Sequence, residues 1–269
     1  MIERVEDPAD ARLDAFRWRE RQLASVAQRR EKIGAGMFVA EGDLVVGRAV
    51  AAGCRPVALL CDDRRADEFA LLVSDDTPVY VGVESLRKEV TGLGVPLSAA
   101  GLFVRPALLS PAGLLADSSH VVVMEAVDNP TNLGAIVRSA AALGWDGLLL
   151  DATSADPLAR RALRVSMGLG LSMPFARLDT ADDLMHVLHA AGFVTYAMTP
   201  SASATDISAV RSLGNRTALM LGSERSGLSA PVLAAAAHTV RIPMHAGTDS
   251  LNVGAAAAIA LHLLGPNGR

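Results

Sequence analysis

The chain has little cysteine, few aromatic residues and no excess of positive charge. Its two cysteines, Cys54 and Cys61, show neither a disulfide framework nor metal-ligand spacing, so no metal is expected and a reducing compartment is. Net charge is −4 and the pI about 5.9, which excludes a broadly basic nucleic-acid coat but leaves room for a local basic patch. Long hydrophobic runs are missing too. The most apolar helical stretch, VGAAAAIALHLL, is too short to span a bilayer. The opening residues, MIERVEDPADARLDAF, are charged throughout and lack the apolar core of a signal peptide. A soluble cytoplasmic protein is expected.

What is abundant is small aliphatic mass. Hydrophobic residues make up 51% of 269 while aromatics are only 4%. That composition excludes disorder and suits helices packed on a sheet. The first 30 or so residues read as a charged helix. Residues 12–32 hold seven basic side chains against three acidic, and Arg29, Arg30 and Lys32 close that run. A solvated face and an arm for RNA phosphates are both open readings.

Strands and helices then alternate. MFVAEGDLVVGRAVAAG reads as a strand and a helix closed by Gly53, and PVALLCDD, PVYVGV and GLFVRP read as further strands, with helices at ADEFALLVSD and ESLRKEVTG. Prolines, serines and a glycine break the pattern at 105–119. A second domain follows, with strands at 121–126, 147–150, 194–198, 217–221 and 240–244 and helices at 134–143, 158–165, 181–191 and 253–264. The fold class is α/β. The expected division is 1–106 for the first domain, 107–117 for a linker and 118–269 for the second domain.

Three segments of the second domain run from a strand end into a polar loop, where ligands of α/β sheets gather. In MEAVDNPTNLGAIVRSAAALG the strand stops at a DNPTN turn. Asn132 is placed to cap the next helix, and Arg138, among apolar neighbours, requires a partner or a ligand. In TALMLGSERSGLS the strand breaks into Gly222, Ser223, Glu224, Arg225, Ser226 and Gly227. This is neither a Walker loop nor a dinucleotide fingerprint, and by composition it is a simple turn or a site. In VRIPMHAGTDSLNVGAAAAIALHLL a strand and a helix are joined by a polar elbow carrying Ser250 and Asn252.

Taken in order, NLGAIVR, LGSERSGLS and IPMHAGTDSLNVGAAAAIAL resemble the three motifs of the SpoU/TrmH family, RNA ribose 2′-O-methyltransferases of the SPOUT superfamily. The resemblance covers roughly 118–264. It implies a C-terminal domain with a deep trefoil knot and a homodimer. It also implies S-adenosylmethionine bound by Leu221, Gly222, Ser223, Ile242, Met244 and Leu251, and a ribosomal or transfer RNA substrate. Arg138, Asn132, Glu224, Ser250 and Asn252 would then carry the chemistry. LARRALRVSMGLGLSMPF also resembles the family, with Arg160, Arg161 and Arg164 as a basic face that is either solvated or binds RNA. The first domain resembles the ribosomal-protein-like substrate-binding domain found ahead of this module, through Glu41 and Gly42. Glu41 also suits a helix N-terminus electrostatically.

The family's proposed general base is the motif-one arginine. Neutralising a guanidinium at pH 7 costs roughly 7–9 kcal/mol, so Arg138 is better assigned to hold a phosphate or a developing alkoxide as a cation. Asp249 stands for the family's usual glutamate. Gly254 stands for its usual serine, which motivates an alternative: a catalytically impaired RNA-binding protein on the same scaffold.

Overall fold

The computed structural model describes residues 1–23, 36–94, 97–178, 181–210, 215–245 and 250–266. They form two compact units. Met1–Ala107 and Leu158–Ser172 make the first, and Leu108–Pro157 and Met173–Arg269 the second. Arg29, Arg30 and Lys32 lie outside the described residues.

The first unit runs β1 (Ile2–Arg4), α1 (Asp14–Arg17), α2 (Glu20–Leu23), β2 (Met37–Glu41), α3 (Asp43–Ala51), β3 (Pro56–Cys61), α4 (Ala66–Leu71), β4 (Val79–Val81), α5 (Glu84–Thr91) and β5 (Ala99–Val104). Its sheet has the order β1-β4-β3-β5-β2. The first three strands in that order are parallel, and β5 is antiparallel to both its neighbours. Gly92 closes α5 at φ 65°, a left-handed angle that a Cβ disfavours. Leu13, Phe16, Val39, Leu60 and Leu102 share one core. The opening was expected to be helical. Instead β1 pairs with β4, and three residues are too few for alternation to declare a strand.

The second unit contributes α6 (Pro111–Ala116), β6 (His120–Met124), α7 (Pro130–Ala142) and β7 (Gly147–Leu150). The chain then passes through α8 (Arg160–Val165), which belongs to the first unit. It continues with β8 (Phe175–Arg177), α9 (Ala181–Ala190), β9 (Val194–Met198), β10 (Thr205–Asp206), β11 (Thr217–Leu221), α10 (Ala230–Ala235), β12 (His238–Arg241) and α11 (Val253–Leu264). These strands form one parallel sheet, β10-β12-β9-β11-β6-β7-β8. Strands covered on both faces read as unbroken apolar runs, which is why HVVVM, GLLL and TALML do not alternate. Helix α6 occupies the expected linker. Ser110 caps it by accepting from Gly113 N at 3.0 Å, and Pro111 opens it.

The segment Leu158–Ser172 was expected in the second domain but packs with the first unit. The reason is electrostatic. The Glu41 side chain, at the end of β2, is fully buried and receives Arg160 at 3.1 Å and also Arg164. Arg160 further donates to Phe16 O at 2.7 Å and Trp18 O at 3.0 Å, and its backbone N–H donates to Glu20. A buried carboxylate must be paired, and these arginines pair it. Two expectations are thereby corrected. Glu41 is an ion-pair centre, not a helix-dipole residue, and the basic face of α8 is not a free stripe. Only Arg161 is exposed and, among the described residues, without a partner.

Replacing both Arg160 and Arg164 by alanine should therefore lower unfolding stability by about 3–5 kcal/mol, the usual cost of orphaning a buried charge. Arg161→Ala should stay within about 0.5 kcal/mol of the wild type, as exposed sites do. Urea titration of both variants checks this, and equal stabilities would refute the staple.

Candidate active site

Strands β12, β9 and β11 are adjacent and parallel, so their carboxyl ends open on one side. A cavity of about 420 Å³ lies there, within the range of small-molecule sites. Leu221, Gly222, Ser223, Ile242, Met244 and Leu251 all line it, as do Glu224 and Ser250. The sequence reading missed Met198, Thr199 and Pro200 at the end of β9, and Arg225 to Leu228 along the loop after β11. Adjacency of β9 to β11 would have pointed to the first group, but that is a fact of strand order. Arg225 is exposed at this wall and, among the described residues, has no partner.

The loop after β11 is a closed turn. Gly227 N donates to Ser223 O at 3.0 Å, and Ser226 N to Ser223 Oγ at 3.1 Å. A Cβ on Gly222 would lie 2.2 Å from both Gly227 C and Leu228 N. The need for glycine here is thus set by the loop's own backbone.

The polar groups meet at Asn252. Its Oδ1 accepts from Gly254 N at 2.9 Å and from Ala255 N, capping α11. Its Nδ2 donates to Asn132 Oδ1 at 3.0 Å and to Glu224 Oε1 at 2.6 Å. One amide thereby joins all three motifs. Asn132 is not the cap of α7. That role falls to Asn129, which accepts from Thr131 N at 2.9 Å, while Asn132 sits buried within the first turn. Arg138 lies on α7 beyond it, exposed and outside the cavity lining. Among the described residues it has no hydrogen-bond or ion-pair partner, so solvent meets the requirement for one. Gly254 is buried against α7, its Cβ direction 3.2 Å from Ala135 Cβ, and it does not line the cavity. A Cβ here would also stand 3.1 Å from Asn252 Oδ1, so the usual serine would lie beside that amide.

The turn before α7 is held from below. Ala126 adopts φ 55°, an uncommon angle for a non-glycine residue. Its N–H donates to Asp151 Oδ1 at 3.1 Å. Burial pushes the Asp151 carboxyl up, but hydrogen bonds from Ser154, Thr153 and the Ala126 and Ser154 N–H groups outweigh it, and the group titrates below the ordinary range. No group of three or more His, Cys, Asp or Glu able to hold a metal occurs among the described residues, and no helix among them is long and apolar enough to cross a membrane.

Residues 119–262 match the model of the SpoU rRNA Methylase family. A Mycobacterium tuberculosis protein named as an uncharacterized tRNA/rRNA methyltransferase is 40% identical over 97% of this chain and 91% of its own length. The 23S rRNA (adenosine(1067)-2′-O)-methyltransferase of Streptomyces laurentii is 34% identical over 58% of this chain and 59% of its own length. Among solved structures, the AdoMet-bound rRNA methyltransferase of Sinorhizobium meliloti superposes with a TM-score of 0.82 at 25% identity, covering 97% of this chain and 96% of that one. The SpoU methyltransferase AviRb of Streptomyces viridochromogenes, in complex with AdoMet, gives 0.76 at 26% identity, covering 94% and 96%. This chain belongs to the SpoU rRNA Methylase family.

Gly222→Ala should abolish cofactor uptake, because the methyl collides with backbone that cannot swing aside. Calorimetry with S-adenosylmethionine checks this on a variant shown to be folded by circular dichroism. Wild-type affinity would mean that the loop does not form the binding wall.

Proposed function

We propose that the protein transfers a methyl group to a ribose 2′-hydroxyl of ribosomal or transfer RNA. The observation that carries this reading is the convergence of three motifs on Asn252, beside a cavity at the carboxyl ends of β9, β11 and β12. S-adenosylmethionine, when bound, supplies the methyl as an electrophile on sulfur. The cavity suits it. Leu221, Ile242, Met244, Leu251 and Val253 offer apolar surface to a flat base, and loop backbone can read that base's polar edge. Two structural neighbours are AdoMet-bound, and relatives are named 2′-O-methyltransferases.

The chain's own groups bind and orient. Asn252 fixes the Glu224 carboxylate and Asn132 relative to α11. Glu224 accepts a hydrogen bond from Asn252 at 2.6 Å and is exposed, so it can take a further one from the ribose. Ser250 at the cavity wall offers a second orienting hydroxyl. Positioning of this kind supplies much of a displacement's acceleration. Arg138, free and exposed, serves as a cationic fork for a phosphate or the developing alkoxide. Arg161 and Arg225 offer further contacts to phosphates.

The finer features of the reading rest on particular observations. The knot is what membership of the family implies. A cytoplasmic setting is supported by two free cysteines. A homodimer beside the site is supported by Leu251 and Ile259, exposed and flanking exposed Ala255 at four-residue spacing.

Incubation with labelled S-adenosylmethionine and total RNA, followed by nucleoside mass spectrometry, should yield a 2′-O-methylnucleoside, and its absence would refute the activity. With RNA saturating, Arg138→Ala should keep its melting temperature and cofactor affinity while turnover falls by about 10²–10³-fold. Arg138→Lys should restore little, lacking the planar fork. A wild-type rate in Arg138→Ala would remove it from the site. Light scattering at micromolar concentration should report twice the chain mass, and a fully active monomer would refute the dimer.

A further inference from the structure

Glu125 follows β6 directly and precedes the NLGAIVR, LGSERSGLS and IPMHAGTDSLNVGAAAAIAL stretches. It is buried, at 6% exposure. Its backbone N–H donates to Leu221 O at 3.0 Å, extending the β6–β11 ladder by one rung. Its side chain turns the other way along the loop, where Oε2 accepts from Ser229 N at 2.8 Å. Leu221 is the last residue of β11, and Ser229 is the residue that opens α10. Between them lies the whole loop that walls the cavity, Gly222 to Leu228. One residue thus grips both ends of that loop.

We infer that Glu125 is the positioning residue for the cofactor wall: it closes the loop between its two bonds and so presets the cavity before any ligand enters. This rests on the reading that the cavity takes S-adenosylmethionine. The loop's internal bonds, Gly227 N to Ser223 O and Ser226 N to Ser223 Oγ, fix its tip but not where the tip points. Its direction is set at its ends. The near end is held by the sheet. At the far end Ser229 N has no acceptor within α10, and the Ser229 side chain does not cap that helix. A carboxylate is the strongest neutralising acceptor for such a group, because the bond is charge-assisted and lies at a helix N-terminus. Without it, the donor must be met by water and the loop end is released. Gly222 makes this matter, because its missing Cβ lets Gly227 and Leu228 pack against it, and Leu228 is joined directly to Ser229.

The test uses the full-length protein, S-adenosylmethionine calorimetry and melting curves. Glu125→Leu should weaken affinity about 10- to 100-fold, the range for losing a hydrogen bond to a charged group. Glu125→Gln keeps a carbonyl acceptor without the charge and should recover about half of that loss on a logarithmic scale. Ser229→Pro removes the donor at φ −65°, an angle that proline adopts, and should weaken binding at least as much as Glu125→Leu. The double variant should bind no worse than the weaker single, because both delete one bond. A folded Glu125→Leu protein with wild-type affinity, or losses that multiply in the double variant, would overturn the clamp. If Glu125→Leu fails to fold, Ser229→Pro decides alone, and wild-type affinity there overturns it. A drop in melting temperature with unchanged affinity would make Glu125 a packing residue only. Wild-type protein that takes up no cofactor would overturn the cofactor reading and the clamp with it.

Discussion

Everything at the candidate site depends on one side-chain amide. Asn252 uses its oxygen to start α11 and its nitrogen to reach Asn132 on α7 and Glu224 on the loop after β11. An amide has a fixed polarity, so these bonds are mutually consistent in one orientation only. The acceptor end must face the free N–H groups of the helix, and the donor end must then face outward to two oxygens. A flipped amide would set oxygen against oxygen at both contacts. The helix start thus orders the site, and the site in turn pins the helix start.

Two glycines let the parts come close enough for that amide to reach. Gly222 allows the loop after β11 to fold back on its own backbone, and Gly254 allows α11 to approach Ala135 of α7. Neither serves by flexibility. Each removes a methyl where backbone or a packed side chain already stands, so the gain is proximity. Beneath them, Asp151 gathers four hydrogen bonds and holds the turn at Ala126 that leads into α7. The site is therefore carried by short rigid connections, and its polar groups are aligned in advance, as preorganised catalysis requires.

The first unit solves a different problem with the same chemistry. It takes in a helix, α8, from the far side of a domain boundary in sequence, and holds it by burying Glu41 between Arg160 and Arg164. A buried ion pair gains little over an apolar contact but is costly to break. It thus favours one docking partner for α8 over others. That specificity accounts for arginines at helical spacing which, in the sequence, look like a surface for phosphate.

The sequence by itself determined the α/β alternation, the long strands and helices, and part of the cavity wall. Leu221, Gly222, Ser223, Ile242, Met244 and Leu251 were named from the resemblance of their stretches to the family's motifs, and all six line the cavity. Local periodicity reports how a segment is buried, and it served well wherever the segment was long. It failed for β1, β8 and β10, which are two or three residues long and exist only because a neighbour supplies their hydrogen bonds. It also could not say which strand lies beside which. Parallel buried strands look alike in composition, so the insertion of β11 between β6 and β9, which brings Met198, Thr199 and Pro200 to the cavity, was invisible. The roles of Asn132, Glu125 and Arg160 were decided by partners roughly a hundred or more positions away. Side-chain chemistry sets what such a residue can bond, but only the folded chain brings the partner within reach.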